Sequence, residues 1–240
     1  VCVDVDREQR PDVDAVYMAA CQSMTGQGGW PLTALLTPSQ KPFFIATYLP
    51  RETLLSVLRE AKGQWTRQRD RLSALGSQIS QAVQSQFTYA GQAVNVDKRL
   101  MQNGVRAFAS SFDAEWGGIG IAPKFPMPHT LLFLLRQSVL GQDAKALSMA
   151  ETTLLRMCEG GIFDHVGGGF MRYSTDRRWA VPHFEKMLID NALLSAVYLE
   201  AWQITGRAPY RLVADRTLQY VLREMTHAEG GFFSSQDADA

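Results

Sequence analysis

The chain has 240 residues, 46% hydrophobic and 20% charged, and its 24 Lys and Arg balance 24 Asp and Glu. That length and apolar content exclude a disordered chain and suit one large or two ordinary globular domains with cores of their own. The even charge, with no basic run interleaved with aromatics, predicts no nucleic-acid partner.

Apolar runs such as Leu131–Leu135 fall far short of the roughly 20 residues that cross a bilayer, and no charged-then-apolar leader precedes a cleavage site. No membrane partner and a cytoplasmic location are expected. Cys2, Cys21 and Cys158 are an odd count without a CxxC pair, which predicts three buried, unpaired thiols rather than a disulfide framework or a zinc ribbon. The chain lacks an initiator Met, opens inside a strand-like alternation and stops just after a Gly-Gly loop, as a piece of a longer protein would.

Val1, Val3 and Val5 alternate with Cys2, Asp4 and Asp6, the period of a short strand. From Asp12 to about Ser23, Val13, Val16, Tyr17 and Ala20 fall at helical spacing, with Asp12 and Asp14 in the first turn where the helix dipole favours them. The glycines of TGQGGW end that helix. A strand over Leu32–Leu36, a turn over Pro38–Pro42 and a strand over Phe43–Tyr48 predict an antiparallel hairpin. Pro50 and Glu52 then open an amphipathic helix reaching about Trp65.

Strand, helix, proline loop, strand, strand, helix is the order of the second half of a thioredoxin fold. In that fold a cis-proline begins the hairpin, so Pro31 in Trp30–Pro31 is expected to be cis; the alternative is an ordinary trans proline opening an edge strand. Between Lys62 and Asn95 the composition turns to Gln, Ser and Arg, while Leu72, Leu75, Ile79 and Val83 keep a helical rhythm. The division expected is a partial thioredoxin-like domain over residues 1–66, a polar linker helix and tail over 67–96, and a helical domain over 97–240.

In that last part Gly-Gly followed by Ile or Phe occurs three times, at Gly117–Ile119, Gly160–Ile162 and Gly230–Phe232. Helices about Pro128–Leu140 and Asp143–Glu159 lie between the first two, and helices about Pro182–Thr205 and Pro209–His227 between the next two. Repeated αα-hairpins whose long, Gly-rich loops alternate with tight turns place all the long loops at one end, where function is expected.

The densest chemistry lies between Gly160 and Asn191. With Pro182 as first helical residue, His183, Lys186 and Asp190 would share one face, Glu185 would be favoured by the dipole, and His183 would be neutral. Asp164 and His165 precede three glycines, then Arg172 and Tyr173 follow; Lys124 lies on the loop before, and Asp237 and Asp239 on the loop after. Paired carboxylates beside histidines suit general acid/base work on a sugar. The catalytic candidates are Asp164, His165, His183 and Glu185, and the ligand-binding candidates are Lys124, Arg172, Tyr173, Lys186, Asp190, Asp237 and Asp239. Each has a structural alternative: His183, Glu185 and Lys186 as an ion-pair cluster, Asp164 as a turn cap, Trp179, Phe170 and Phe163 as core rather than a sugar platform. No HExxH or comparable spacing accompanies His165 and His183, so neither a metal nor a cofactor is expected.

The stretches VDREQRPDVDAVYM, TGQGGWPLTALLTPSQKPFFIATYLP, GGIFDHVGGGFMRYSTD and VPHFEKMLIDNALL resemble the spermatogenesis-associated protein 20 family. The resemblance implies an α/β plus all-α chain: the C-terminal half of a thioredoxin-like fold, then the first part of an (α/α)6 toroid similar to six-hairpin glycosidases and N-acylglucosamine epimerases. It implies a small polar ligand, a saccharide, for the barrel. It also implies a CxxC segment upstream of the VDRE strand, absent from these residues, so a protein thiol partner would belong to the longer protein.

Overall fold

The structure, a computed structural model, describes residues 1–7, 9–87 and 98–238. It divides into two compact units, Val1–Val94 and Asn95–Ala240.

In the first unit, α1 (Pro11–Thr25) is followed by β1 (Thr33–Leu36) and β2 (Pro42–Ala46), which pair antiparallel with Thr33 opposite Ala46 and an irregularity at Leu35/Leu36. Gly26 closes α1 in the left-handed conformation, φ 75°, as the TGQGGW stretch requires. The Trp30–Pro31 peptide is cis. Next come α2 (Arg51–Arg67) and α3 (Arg69–Phe87).

Three expectations change here. The Val1–Val5 alternation forms no strand, because a strand needs a ladder partner and, among the described residues, β1 and β2 pair only with each other. Val1 and Val3 are exposed, and the expectation of three buried thiols fails at Cys2, which has no strand to cover it and is exposed as well, whereas Cys21 is buried and Cys158 half-buried. The helix read as a linker is α3, and it is part of the core. Its Ile79 and Val83 are buried with Ala20, Cys21 of α1 and Ile45 of β2. Gly76 lets it approach the turn after β1, since a Cβ there would stand 3.1 Å from Lys41 Cβ. The Gln- and Ser-rich composition belongs to the outer face of a packed helix. The tail residues 88–96 of that expected linker lie outside the described residues.

The second unit holds α4 (Lys98–Ser110), α5 (Pro128–Leu140), α6 (Ala144–Glu159), α7 (Leu188–Thr205) and α8 (Ala208–Glu224). Asp143 caps α6 by accepting from the Lys145 and Ala146 amides, both at 3.0 Å, so the α5–α6 turn needs only three residues. Gly206 ends α7 at φ 70°, and the α7–α8 turn is shorter still, Gly206 and Arg207 alone. α5 also packs against α7, so successive hairpins sit side by side. Leu131, Leu134, Leu135, Met149, Leu154, Met157, Leu194, Val197 and Tyr198 form one core. The Tyr198 hydroxyl, fully buried, donates to the Leu154 carbonyl at 2.8 Å.

The long connections carry short strands: β3 (Tyr173–Ser174) pairs with β4 (Pro182–His183), and β5 (Lys186–Met187) with β6 (Ser235–Gln236). These ladders claim the backbone from Pro182 to Met187, so α7 starts at Leu188 and Pro182 is not its first residue. His183, Glu185 and Lys186 therefore do not ride on a helix face, and the dipole argument for His183 and Glu185 falls. α8 likewise stops at Glu224, because the His227 amide bonds to Gly231 O.

Because α3 supplies core side chains, Ile79→Ala should destabilise the first unit by about 2–4 kcal/mol in chemical denaturation. The control is the more exposed Leu75→Ala. Equal, small losses for both would return α3 to a linker.

Candidate functional site

One loop design is used three times. In the first, Phe112 bridges Ile119, Asp113 N donates to Gly118 O at 3.0 Å and Gly117 N to Asp113 O at 2.7 Å. In the second, Phe163 bridges Phe170, with Asp164 N to Gly169 O and Gly168 N to Asp164 O, both 2.9 Å. In the third, Thr226 bridges Phe232, with His227 N to Gly231 O and Gly230 N to His227 O. All three glycine pairs, Gly117–Gly118, Gly168–Gly169 and Gly230–Gly231, have φ between 69° and 95°, which other residues adopt only at a cost. Gly160–Gly161, expected as the middle member, is instead the exit of α6, with Gly160 at φ −83°.

The first two loops are pinned alike. Lys124 is fully buried, and its ammonium donates to Asp113 Oδ2 at 2.7 Å and Gly117 O at 2.6 Å, 5.5 Å from the Trp179 ring. Lys186 is also buried, donating to Asp164 Oδ2 at 2.8 Å and Gly168 O at 2.9 Å, 4.2 Å from the Tyr220 ring. Each aspartate uses its other oxygen on two loop amides: Glu115 and Trp116 for Asp113, Val166 and Gly167 for Asp164. Of the expected site residues, Asp164, Lys124 and Lys186 are thus engaged inside the loops.

Burial alone would raise the Asp113 carboxyl, but Arg177 and Lys124 outweigh it and hold it well below its ordinary value. Arg177 makes a fork, Nε to Asp113 Oδ2 at 2.6 Å and Nη2 to Oδ1 at 2.8 Å, and so ties the β3–β4 hairpin to the first loop. At Asp164, burial is likewise outweighed by Lys186 and the two amides, and the carboxyl is lowered.

A second group faces outward. Arg172 pairs with Glu185, and its amide donates to Glu185 O at 2.7 Å, so the pair is fixed through both side chain and backbone. His183 Nε2 lies 3.7 Å from Glu185 Oε2. The His183 ring stacks on Tyr173, centroids 4.9 Å apart at 14°, and Tyr173 meets the exposed Phe125 at 5.0 Å. Asp190 lies in the first turn of α7, where burial pushes its carboxyl up, Arg172 pulls it down and Glu185 adds to the rise. A cation, two carboxylates, an imidazole and an aromatic ladder thus converge at the mouth of α7.

The remaining expected residues stand elsewhere. His165 is exposed, its Nε2 3.1 Å from Gly160 O and its ring edge-on to Phe163. Asp237 follows β6, the strand paired with Lys186–Met187. Asp239 lies outside the described residues. Trp179 and Phe170 are fully buried and Phe163 nearly so, placing all three in the core rather than on a sugar platform. Among the described residues no three His, Cys, Asp or Glu side chains gather as metal ligands would.

Phe125, Asp113 and Arg177 join these residues in the structure without standing among the candidates that the sequence marks. For Asp113 the signal was present: Phe112-Asp113 and Phe163-Asp164 both precede a glycine pair by the same three residues.

The lowered Asp113 fixes a sign. A carboxylate below its unfolded value of about 3.9 stabilises fully above that pH, and this contribution is lost as pH falls through the folded value. Asp113→Asn in the full-length protein should therefore be less stable at neutral pH and lose less on acidification toward about pH 3. Urea melts across that range test it, and an unchanged acid sensitivity would count against the pin.

Comparison with known proteins agrees with this architecture. A family model described as "Protein of unknown function, DUF255" (Thioredox_DsbH) matches residues 1–84. At the level of fold, the chain resembles a sugar epimerase from a ruminal bacterium (TM-score 0.51, 14% identity, 58% of this chain and 40% of that one). It also resembles cellobiose 2-epimerase from Bacillus thermoamylovorans (TM-score 0.50, 14% identity, the same coverage). The fold class is thus thioredoxin-like α/β followed by hairpins of an α/α toroid. Spermatogenesis-associated protein 20 of Mus musculus is 42% identical over 255 residues, and that of Homo sapiens 42% over 257. Each match takes in 100% of this chain and 32% of the relative, so the chain, homologous over its whole length to spermatogenesis-associated protein 20, spans about a third of that protein.

Proposed function

We propose that the mouth of α7 binds, and in the full-length protein processes, a saccharide. The observation that carries this reading is the half-exposed ion pair Arg172–Glu185 set beside the Phe125–Tyr173–His183 ladder. A sugar presents an apolar ring face and a fringe of hydroxyls, and an aromatic surface bordered by charged hydrogen-bonding groups complements both. Arg172 donates to hydroxyl or carbonyl oxygens, and Glu185 and His183 accept from hydroxyls or remove a proton beside a carbonyl. Asp190, whose burial favours the protonated form, is the proton donor. The fold likeness to sugar epimerases supports the same ligand class. Asp164 and Lys186 move from the candidate chemistry to positioning, because each is spent on the other. The protein is proposed to act in the cytoplasm.

A second reading follows from the thioredoxin-like unit: thiol exchange with a protein partner, the helical unit serving as a platform. It is favoured by the match over residues 1–84. The cysteines of this chain are free and separate, so exchange would depend on thiols outside these 240 residues. Disulfide reduction by the full-length protein would report it.

Calorimetric titration of the full-length protein with a panel of mono- and disaccharides should show binding. Glu185→Gln and His183→Ala should weaken it by roughly ten- to hundredfold while leaving the melting temperature nearly unchanged. Where turnover is seen, it should fall as pH rises through the Asp190 titration. Binding and turnover indifferent to both variants would refute the assignment.

A further inference from the structure

A separate cleft of ≈ 290 Å³ opens at the C-terminal end of α6, lined by Trp116, Arg156, Glu159, Arg178 and the backbone of Gly160–Gly161. Two guanidinium groups lie against one indole there: Arg156 Cζ is 5.1 Å and Arg178 Cζ 5.3 Å from the Trp116 ring centre. Like charges so gathered repel, and the ring offsets only part of that repulsion.

Arg156 has a counter-charge, Glu159 Oε2 at 3.3 Å, and donates to Glu115 O at 3.3 Å. Arg178 has none among the described residues, and its guanidinium lies against the indole. The nearby carboxylates are committed elsewhere. Asp113 and Glu115 pair with Arg177, and Asp176 accepts from the backbone amides of Arg178, Ala180 and Val181.

The walls are prearranged. Asp176 fixes the Arg178 amide at 2.5 Å. Trp179, next in sequence, holds φ 65°, is fully buried, and donates from Nε1 to Trp116 O at 2.8 Å. One buried residue thus anchors the backbone on both sides of the cleft. The floor has no side chains because none would fit: a Cβ on Gly160 would come 2.5 Å from Trp179 O, and one on Gly161 2.3 Å from Ala180 O.

We propose that this cleft binds a small oxyanion-bearing molecule, its phosphate or carboxylate held by Arg178 and Arg156 beside Trp116. Glu159 accepts from a hydroxyl of the same molecule. The volume suits a body of about monosaccharide size, at the low end for ligand pockets. The site is independent of the mouth of α7.

The test is calorimetric titration of the full-length protein with inorganic phosphate, glucose 6-phosphate, glucuronate and glucose, wild type against Arg178→Gln. Arg178 is exposed, so the variant should fold, and circular dichroism and a thermal melt check it. An anionic probe should bind and lose roughly ten- to hundredfold in affinity in the variant, with any glucose binding unchanged. Loss confined to the two phosphate probes assigns a phosphate site, and loss confined to glucuronate a carboxylate site; either supports the proposal. No binding of any anionic probe to the wild type, or binding undiminished in Arg178→Gln, overturns it. A change in glucose binding alone bears on the α7 mouth and also leaves the cleft refuted.

Discussion

A buried lysine ammonium held by an aspartate, a glycine carbonyl and an aromatic face is the interaction on which the second unit depends. It occurs twice, as Lys124 with Asp113, Gly117 and Trp179 and as Lys186 with Asp164, Gly168 and Tyr220. Burying an ion pair is costly unless the geometry is good and the remaining donors are satisfied. Both lysines meet that condition, and each joins strands that arrive late in sequence to a loop that left the preceding helix. The result is specificity of position more than bulk stability, since a well-packed apolar pair could stabilise as much but would not select two backbone carbonyl orientations.

The outward-facing group inherits its position from these pins. Arg177 grips Asp113, the same carboxylate that Lys124 holds, and Arg177 sits on the hairpin whose strands carry Tyr173 and His183. Lys186 follows Glu185 directly and leads into α7, where Asp190 occupies the first turn. The imidazole and its stacked tyrosine are therefore referred to the first loop, and the two carboxylates to the second. Loops on a rigid scaffold commonly carry function, and here the rigidity of the loops themselves comes from charges the sequence offers as candidate chemistry.

That double use explains what was legible in the sequence and what was not. The hairpin over Thr33–Ala46, the helices α5 and α6, and the tight turn between them follow from local signals: alternation, helical spacing and glycine at a stop. The start of α7 did not, because Pro182 fits a first helical turn and an edge strand equally well, and only the partners Tyr173–Ser174 and Ser235–Gln236, distant in sequence, decide. The repeat is visible in the spelling, but its middle member is ambiguous, since Gly160–Gly161 and Gly168–Gly169, eight residues apart, both precede an apolar residue. Hydrogen bonding, which spelling does not show, separates them. The helix α3 is polar in composition, although Ile79 and Val83 at helical spacing carry the burial signal.

The density of acids and bases between Gly160 and Asn191 thus resolves into two populations with different environments. Asp164 and Lys186 neutralise each other below the loop surface, while Arg172, Glu185, His183 and Tyr173 keep partial exposure and Asp190 lies partly buried beside them. Two carboxylates near one arginine but unequal in surroundings are how a site assigns donor and acceptor roles to the same side-chain type. Glu185 has the arginine as a direct partner; Asp190 feels it only at a distance and is dominated by burial. A ligand that displaces water from the mouth would deepen that inequality, because desolvation acts hardest on the carboxylate without a paired cation.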